Sequence, residues 1–490
     1  MFLGIDCGTQ GTKALLLDAD SGRVLGHGSA SYPMHSGVNG CREQAPADWL
    51  KAFAQATAQA LASAGISGQV IQAIGVSGQQ HGLVLLDAQG QVLRPAKLWC
   101  DTESTVQNDE LLAWLGGPQG SLQRLGLAIA PGYTLSKLLW TLQQHPQVFE
   151  RIAHVLLPHD YLNFWLSGRA CAEYGDASGT GYFNVRTRTW DVELLRHVDP
   201  SGRLERALPT LIQAREPVGQ ILPEVARQLG INPKAVIASG GGDNMMGAIG
   251  TGNIDSGTIT MSLGSSGTVY AFSPQPIVCA EPAVATFCSS TDGWLPLICT
   301  MNLTNVTGAV RELLQLDLAG FNQQLASAPI GAEGVHMLPF LNGERVPALP
   351  HATGSLAGLT TANLTAANLC RAAVEGTTFG LRYGLDLLRE AGLHSKSIRL
   401  TGGGAKSPVW RQVVADIMHT PLACTTEPEA AALGAAIQAA WCTGTAPLAQ
   451  LCRHCVKLDR ASHTEPLAAQ SQRYEQHYLD YRAEVDKLRR

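Results

Sequence analysis

The chain begins with the stretch FLGIDCGTQGTKALLL at residues 2–17, in which two apolar runs flank one glycine-rich polar turn. The apolar runs occupy residues 2–5 and 14–17. Apolar segments separated by a turn of this composition are typical of β-hairpins. A second turn at residues 18–22 leads into the apolar segment at residues 23–25, so we predict three antiparallel strands at the start of the fold.

Helical and strand patterns alternate after this opening. The stretch from residue 46 to 64 has an apolar face, starts with a proline suited to a first helical turn, and is followed by Gly65, so it predicts a helix. Short apolar runs at residues 70–76 and 83–86 predict strands. Strands that alternate with helices indicate the α/β class.

The glycine-rich region from residue 235 to 257 is the predicted domain boundary, because a second set of strands begins near Ile259. We therefore predict two domains, residues 1–250 and residues 251–490. The loop at residues 264–268 repeats the pattern of the first hairpin turn and also lies between apolar runs. This short repeat indicates two domains of related design.

Composition places the chain among ordinary globular proteins. It has 490 residues, of which 45% are hydrophobic and 15% are charged. The net charge is −5 and no basic stretch dominates, so we expect no nucleic-acid partner. The start does not resemble a signal peptide and no apolar run approaches membrane-spanning length, so we expect a cytoplasmic protein without a membrane partner. The twelve cysteines include a CxxC pair, Cys452 and Cys455, which we interpret as structural because no second pair is present.

The first hairpin turn carries residue types that suit a nucleotide phosphate. Glycines allow the backbone to approach a ligand closely, and hydroxyl and N–H groups can then donate to phosphate oxygens. Asp6 can bind Mg²⁺ through water, because this ion prefers oxygen ligands and keeps much of its hydration. A tight hairpin with an acidic turn residue is the alternative interpretation. The candidate ATP contacts in this turn are Gly8, Thr9, Gln10 and Thr12.

Two later glycine-rich turns supply the other candidate ATP contacts. Gly264 and Ser265 lie in the turn that repeats the first one, and two such turns can hold one triphosphate from opposite sides. Gly403, Gly404 and Ala405 follow an apolar strand and precede a helical segment. That arrangement occurs in nucleotide-binding folds and also in plain strand-to-helix turns. Ala405 stands where a Walker A loop requires glycine, so this turn is not a P-loop.

Asp243 is the candidate catalytic residue. Three glycines at residues 240–242 follow the apolar run at 236–238 and bring the backbone tightly around this one carboxylate. A phosphoryl-transfer enzyme needs a base or an orienting group beside the attacking hydroxyl, and Asp243 suits that role. An aspartate that caps the N-terminus of the following helix is the alternative.

Gln80 and His81 are candidate sugar contacts. They lie between glycines after a predicted strand, and both side chains can donate and accept hydrogen bonds, as sugar hydroxyls require. A plain polar turn is the alternative. The nearby Trp99 and Asp101 could add a stacking ring and an acceptor, or could simply cover the edge of the core.

Taken together, the order of these motifs resembles the FGGY carbohydrate kinases, from the start of the chain to about Gly444. The first two glycine-rich turns are similar to the phosphate hairpins of that family, and residues 402–405 are similar to its adenosine-side turn. Two longer stretches, at residues 132–140 and 354–375, match most of the two family signatures. Residues 340–345 are also similar to a family segment, which we interpret as mainly structural.

The resemblance implies an α/β, two-domain actin/hexokinase-like (ribonuclease H-like) fold with an interdomain cleft. It implies a sugar-binding N-terminal domain, an ATP-binding C-terminal domain with a helical tail, and ATP and Mg²⁺ as cofactors. The implied reaction converts D-xylulose to D-xylulose 5-phosphate, with Asp243 as the general base and Asp6 holding the metal through water. The expected sugar contacts are Gln80, His81, Asp101 and Asn244.

One departure from the family pattern leaves the sugar open. The family often has arginine two residues after the aspartate of its Trp-x-Asp motif, where this chain has Glu103. Ribulose, glycerol and gluconate are therefore alternative substrates, and a non-kinase actin-like ATPase is the alternative from another class. We expect a sugar and ATP as partners, and the oligomeric state stays open, with a homodimer as one option.

Overall fold

The structure is a computed structural model, which describes residues 1–489. Its first sheet has seven strands, which are β1 (Phe2–Cys7), β2 (Gly11–Asp18), β3 (Arg23–Ser31), β4 (Ala73–Gly78), β5 (Gly219–Gln220), β6 (Val236–Ile237) and β7 (Gly241–Gly242). Their order in the sheet is β5-β6-β4-β1-β2-β3, with β7 also paired to β4. Strands β1, β2 and β3 are antiparallel, and β4 joins β1 in parallel.

The second sheet has six strands, which are β8 (Thr258–Leu263), β9 (Gly267–Ala271), β10 (Ala285–Cys288), β11 (Trp294–Thr300), β12 (Ser397–Thr401) and β13 (Leu422–Cys424). Their order in the sheet is β10-β11-β9-β8-β12-β13. Strands β8 and β9 form an antiparallel hairpin, and β12 joins β8 in parallel, just as β4 joins β1 in the first sheet. The predicted similarity of the two halves is therefore present in the strand pairing.

Five helices matter most for the site and for its support. They are α1 (Pro46–Ala64), α2 (Asp243–Gly250), α3 (Ala366–Glu390), α4 (Ala430–Cys442) and α5 (Ala468–Leu488). The remaining helices are Thr105–Leu115, Gly117–Leu125, Thr134–Gln144, Pro146–Phe149, Pro158–Ser167, Tyr174–Ala177, Val192–Val198, Arg203–Ala207, Pro223–Leu229, Thr304–Leu313, Leu318–Ser327, Pro408–Met418 and Leu448–Cys455. Short strands outside the two sheets are His35–Ser36, Arg42–Gln44, Val84–Leu86, Ala96–Lys97, His154–Leu156, Cys171–Glu173, Phe183–Asn184, Thr189–Trp190, Thr210–Ile212, His336–Leu338 and Ser355–Ala357.

Helix α1 has the bounds that the sequence predicts. Pro46 occupies its first turn, and Gly65 ends it in the left-handed conformation at φ +66°. Its buried face includes Trp49 and Phe53. Gly28 of β3 permits close packing against this helix, because a Cβ there would lie 2.0 Å from the carbonyl oxygen of Ala56.

The strand predicted over residues 70–76 is shifted toward the C-terminus. Residues Gly68–Val70 form a short 3₁₀ turn, in which the Ser67 side chain accepts a hydrogen bond from the backbone N–H of Gln69. The strand begins at Ala73, because the local turn uses the residues before it. The apolar run alone did not reveal that turn.

Helix α4 comes from the C-terminal half of the sequence but packs on the first sheet and on α2. Gly4 and Gly75 have no room for a Cβ, which would lie 1.9 Å and 2.0 Å from the carbonyl oxygens of Ala432 and Ala435. A sequence that is apolar on all sides predicts a fully buried helix, and α4 is largely buried. This helix therefore connects the sheet that carries Asp6 with the helix that begins at Asp243.

The cysteines fit the structural interpretation. Cys452 and Cys455 are both buried in an apolar cluster beside α4, and the Cys452 thiol lies 3.6 Å from the backbone oxygen of Ile249. Among residues 1–489, all twelve cysteines are free thiols.

Candidate active site

Asp243 stands at the end of the first sheet, where three strands finish side by side. Strand β7 places Gly241 opposite Ser77, and β1 places Asp6 opposite the same residue. Asp243 is the first residue of α2, and Gly242 occupies the N-cap position. The alternative interpretation of Asp243 as an N-cap is therefore wrong, although its Oδ1 accepts a hydrogen bond from the Asn244 backbone N–H at 2.8 Å.

The glycine turn before Asp243 is held from behind by α4. The Gln438 side chain accepts a hydrogen bond from the Gly240 N–H at 2.8 Å and donates one to the Gly240 carbonyl at 3.0 Å. Gly240 has φ +72°, and a Cβ there would lie 2.5 Å from the Val76 carbonyl oxygen. Glycine is required at this position for both reasons.

Asp6 and Asp243 are both half-buried carboxyls whose pKa values are raised. Burial, and then the charge of Asp6, raise the pKa of Asp243 to about 7. Burial also raises the pKa of Asp6, while a 2.8 Å hydrogen bond from the Ser77 hydroxyl acts in the opposite direction. A half-buried carboxyl with a pKa near neutrality can accept a proton under physiological conditions.

Asn244 joins Asp243 to Gln80. Its side-chain amide donates to Gln80 Oε1 at 2.8 Å and to Asp243 Oδ1 at 3.0 Å. The Nε2 of Gln80 is buried and has no hydrogen-bond partner among residues 1–489. These three predicted site residues are therefore brought together, and the buried amide donor of Gln80 is left unpaired within residues 1–489.

His81 adopts a left-handed backbone conformation, with φ +64°. Its ring nitrogen Nδ1 lies 2.8 Å from the Gly179 carbonyl, so Nδ1 carries the proton and Nε2 is the free nitrogen. Burial lowers the pKa of His81 to about 3, so the imidazole is neutral. The Lys137 ammonium fixes the backbone by donating to the His81 carbonyl at 2.8 Å.

The first predicted phosphate turn is stiffened by a side-chain network. The Trp99 indole donates to Thr9 Oγ1 at 2.9 Å, and Thr9 Oγ1 donates to Gln79 Oε1 at 3.2 Å. Because the Thr9 hydroxyl proton is already used, Thr9 can offer a phosphate only its backbone N–H. Gln10 is exposed, whereas Thr12 is buried.

Asp101 lies away from the open site. It is fully buried, accepts from the Lys97 ammonium at 2.9 Å, and accepts from the Arg42 backbone N–H at 2.8 Å. Glu103 pairs with the same Lys97 at 2.5 Å, which explains an acidic residue where the family often has arginine. Asp101 therefore supports the loop that carries Trp99, and its carboxylate has no exposed surface for a direct contact.

The other two glycine-rich turns lie beside each other in the second sheet. Gly264 follows β8, and its carbonyl accepts from the Thr304 backbone N–H at 3.1 Å. Gly402 has φ +87°, and a Cβ there would lie 2.6 Å from the backbone of Leu263. A Cβ at Gly404 would likewise lie 2.9 Å from Leu263 Cβ. Gly403 is exposed and has open space around it, whereas Gly404 and Ala405 are buried.

Arg345 is a candidate site residue that the sequence did not reveal. Its exposed guanidinium lies 6.0 Å from the centre of the Trp99 ring, and its charge contributes to the lowered pKa of His81. The segment at residues 340–345 reads as a polar turn after an apolar run, with no spacing that indicates chemistry. Only tertiary structure brings this cation beside the candidate sugar contacts.

Two family models match the chain. The model of the N-terminal domain of the FGGY family of carbohydrate kinases covers residues 1–250, and that of its C-terminal domain covers residues 259–443. The chain belongs to the FGGY family of carbohydrate kinases. A curated relative, the xylulose kinase of Haemophilus influenzae, is 48% identical to this FGGY kinase over 492 residues, and the match covers 100% of both chains.

Solved structures support the same assignment. A ligand-bound xylulose kinase and a gluconate kinase, both from Lactobacillus acidophilus, each match with a TM-score of 0.92 and 26% sequence identity. The matches cover 99% of this chain and 98% and 97% of those chains. The FGGY resemblance, the α/β two-domain actin/hexokinase-like fold and the carbohydrate kinase activity are thus confirmed.

FGGY kinases use ATP as the phosphate donor, so ATP and a sugar are the two substrates of this enzyme. Among residues 1–489, the structure has no helix with the length and apolarity needed to span a bilayer.

Proposed function

We propose that this FGGY kinase phosphorylates D-xylulose to D-xylulose 5-phosphate, with Asp243 as the general base. The observation that carries the proposal is the cluster of Asp243, Asn244 and Gln80, which sets a carboxyl of pKa about 7 beside two amides. Amides bind sugar hydroxyls well because they donate and accept hydrogen bonds. The name of the Haemophilus influenzae relative supports xylulose as the sugar.

The proposed step needs one proton acceptor. The terminal hydroxyl oxygen of the ketose forms a new bond to the γ-phosphorus, and the bond from that phosphorus to the β–γ bridging oxygen breaks, so that ADP leaves. The proton of the hydroxyl moves to the Asp243 carboxylate, which must lie about 2.6–3.2 Å from it. Positioning and charge neutralisation supply most of the acceleration in phosphoryl transfer.

Sugar contacts follow from the free polar groups of the site. Gln80 Nε2 can donate to a sugar hydroxyl, and the neutral His81 can accept through Nε2. The Asn244 amide holds the Asp243 and Gln80 side chains in fixed relative positions through its two hydrogen bonds. We propose that Asp101 does not contact the sugar directly but stabilises the loop that carries Trp99.

ATP is proposed to lie between the glycine-rich turns of the two sheets. In the first turn, its phosphates meet the backbone around Gly8, Thr9 and Gln10, with Thr12 below. In the second sheet, Gly264 and Ser265 face the phosphates. We place Gly403, Gly404 and Ala405 next to the nucleoside of ATP. The open space around Gly403 suits the last assignment.

The carboxylate pair fits Mg²⁺, which prefers oxygen ligands and retains water. Asp6 would hold the ion through water. Burial is the main cause of the raised pKa of Asp243 and the charge of Asp6 adds to it, so a cation between the two carboxyls would stabilise their charged forms. When bound, Mg²⁺ neutralises charge on the phosphates. Asp6 itself keeps its orientation through the hydrogen bond from Ser77.

We infer a cytoplasmic enzyme, because ATP and free pentoses are cytoplasmic substrates. The division into residues 1–250 and 251–490 agrees with the two sheets, although α4 returns to pack on the first one. We also propose a homodimer, which analytical ultracentrifugation would test by measuring the mass of the protein in solution.

The deciding experiment combines a substrate panel with one substitution. ADP release is measured with D-xylulose, ribulose, glycerol and gluconate, using the wild type and Asp243→Asn. We expect D-xylulose to give the highest kcat/KM, and Asp243→Asn to lower kcat by about 10²–10⁴-fold with little change in sugar affinity. Full activity of Asp243→Asn would refute the general base, whereas a preference for another sugar would refute only the substrate.

Gluconate is the second candidate substrate, because a solved gluconate kinase is as similar in fold and identity as a solved xylulose kinase. The cation of Arg345 near His81 could pair with the carboxylate of gluconate. An Arg345→Gln variant separates the two, because it would weaken gluconate binding far more than binding of the neutral ketose.

A further inference from the structure

Helix α5 and the strand His336–Leu338 bring together three metal-type ligands, none of which belongs to the proposed kinase site. The ligand atoms of His336, His477 and Asp480 all lie within 4.8 Å of one another. His477 and Asp480 share one face of α5 because they are three residues apart. We propose that these three side chains form a binding site for Zn²⁺ or a chemically similar transition-metal dication.

The fold makes room for the His477 ring in a specific way. Gly331 has φ +80°, and a Cβ there would lie 2.3 Å from both Cε1 and Nε2 of His477. The ring Nδ1 is shielded from solvent and has no hydrogen-bond partner among residues 1–489. Leaving a buried nitrogen unpaired costs about 1–3 kcal/mol. A bound metal removes the need for hydrogen-bond partners at the nitrogen that it ligates.

The donor set selects the class of ion. Two imidazole nitrogens and one carboxylate oxygen are common ligands of Zn²⁺, with water in a fourth position. Mg²⁺ prefers oxygen ligands and would not compete well here. The two imidazole centroids are 6.0 Å apart and the ligand atoms lie within 4.8 Å of one another, so the side chains must move closer together to place each ligand about 2.0–2.2 Å from one ion.

Neighbouring groups support the carboxylate and the charge. Gln476 donates a hydrogen bond to Asp480 at 3.0 Å, which orients that ligand. The acidic Glu375 contributes negative charge near His477, whereas Arg473 contributes positive charge. Glu375 is itself paired with the Arg371 guanidinium at 2.6 Å, so Asp480 supplies the carboxylate that would face the proposed cation.

A second group of similar composition does not carry the same proposal. Cys41, Glu43, Asp101 and Glu103 also have ligand atoms within 4.8 Å of one another. The Lys97 ammonium lies among them, 2.9 Å from Asp101, 2.5 Å from Glu103 and 3.5 Å from Glu43. That cluster therefore already contains its cation.

Metal titration tests the site. Chelator-treated full-length protein, without nucleotide, is titrated with Zn²⁺ in a calorimeter and with Co²⁺ in a spectrophotometer. We expect one ion per chain with a Kd on the order of 1 μM. His477→Asn and His336→Asn should each weaken binding at least about tenfold, because each removes one of three ligands. The exposed His394 lies outside the cluster, so His394→Asn is the matched control and should bind like the wild type.

A second readout is thermal unfolding. Zn²⁺ that binds only the native state raises the Tm, and this increase should vanish in both ligand variants but persist in the control. Should His477→Asn fail to fold, Asp480→Asn replaces it as the second ligand variant. Kinase activity with Mg²⁺ and without Zn²⁺ should be unchanged in each folded variant, which separates this site from the proposed kinase site.

Two results would overturn the proposal. One is unchanged Zn²⁺ affinity in His477→Asn and His336→Asn. The other is a Co²⁺ spectrum dominated by sulfur-to-metal charge transfer, which would assign the binding to cysteines instead.

Discussion

His159 Nδ1 lies 2.6 Å from Oδ2 of Asp176, and both side chains are fully buried behind the glycine turn that carries Asp243. A Cβ at Gly242 would lie 3.0 Å from Asp176 Oδ1, and a Cβ at Gly240 would lie 3.0 Å from His159 Cδ2. The pair therefore forms the wall against which the turn packs. The two side chains hydrogen-bond to each other because no solvent reaches their polar atoms.

This pairing predicts coupled effects on stability. His159→Leu and Asp176→Leu should each lower the free energy of unfolding by about 1–3 kcal/mol, because each leaves a buried polar partner unsatisfied. The double variant should lose less than the sum of the two single losses. Urea denaturation of the four proteins measures this cycle, and strictly additive losses would contradict a direct interaction.

A pH profile tests the role of Asp243. The carboxylate form accepts the proton, and burial and Asp6 raise the pKa of Asp243 to about 7. We therefore expect kcat/KM to rise as the pH increases through about 7 and to level off above it. Hydrogen bonds from Asn244 lower the pKa of Asp243. Asn244→Ala should thus move this rise to higher pH, and a shift to lower pH would contradict the assignment.

Local patterns were sufficient to predict the parts of the fold that depend on neighbouring residues. The hairpin around Gly8, the bounds of helix α1 and the position of Asp243 next to a glycine turn follow from short segments with one clear period or one strong turn. Strand β4 begins later than the sequence predicts. The Ser67 side chain accepts a hydrogen bond from the Gln69 backbone N–H, and this local turn competes with the extended conformation.

Long-range packing was not predictable from the same patterns. Gln438 lies about two hundred residues from Gly240 in sequence, and nothing local indicates that it fixes the turn before Asp243. Likewise, the positions of Arg345 and of the His159–Asp176 pair at the site depend on contacts between separate segments of the chain, which local patterns do not predict. Polar residues within an otherwise apolar helix, such as Gln438 in α4, were the one signal that could have indicated a specific partner.

The close crossing of helices α2 and α4 predicts a position where alanine is not tolerated. A Cβ at Gly434 of α4 would lie 1.8 Å from the carbonyl oxygen of Met246 in α2, and backbone atoms cannot move aside cheaply. Gly434→Ala should therefore lower the free energy of unfolding by about 1–3 kcal/mol, and it should reduce kcat by displacing Asp243.

The matched control for this substitution is Gly308, which is also helical but has open space where a Cβ would stand. Gly308→Ala should raise the free energy of unfolding by roughly 0.5–1 kcal/mol, because alanine is the better helix former. If chemical denaturation gave Gly434→Ala the same stabilisation, the close crossing of α2 and α4 would be wrong.

Gly403 offers a direct test of the proposed nucleotide site. Its backbone has φ −64° and ψ −38°, which alanine adopts readily, and a Cβ there would contact nothing in the protein. Gly403→Ala should therefore leave the Tm unchanged or slightly higher, because alanine restricts the unfolded chain more than glycine does. If the nucleoside of ATP lies over this residue, the added methyl group must collide with it, so we expect the KM for ATP to rise about tenfold or more while the KM for the sugar stays constant. An ATP titration at saturating sugar measures the effect. An unchanged KM for ATP would place the nucleoside elsewhere and would remove Gly403 from the ATP contacts.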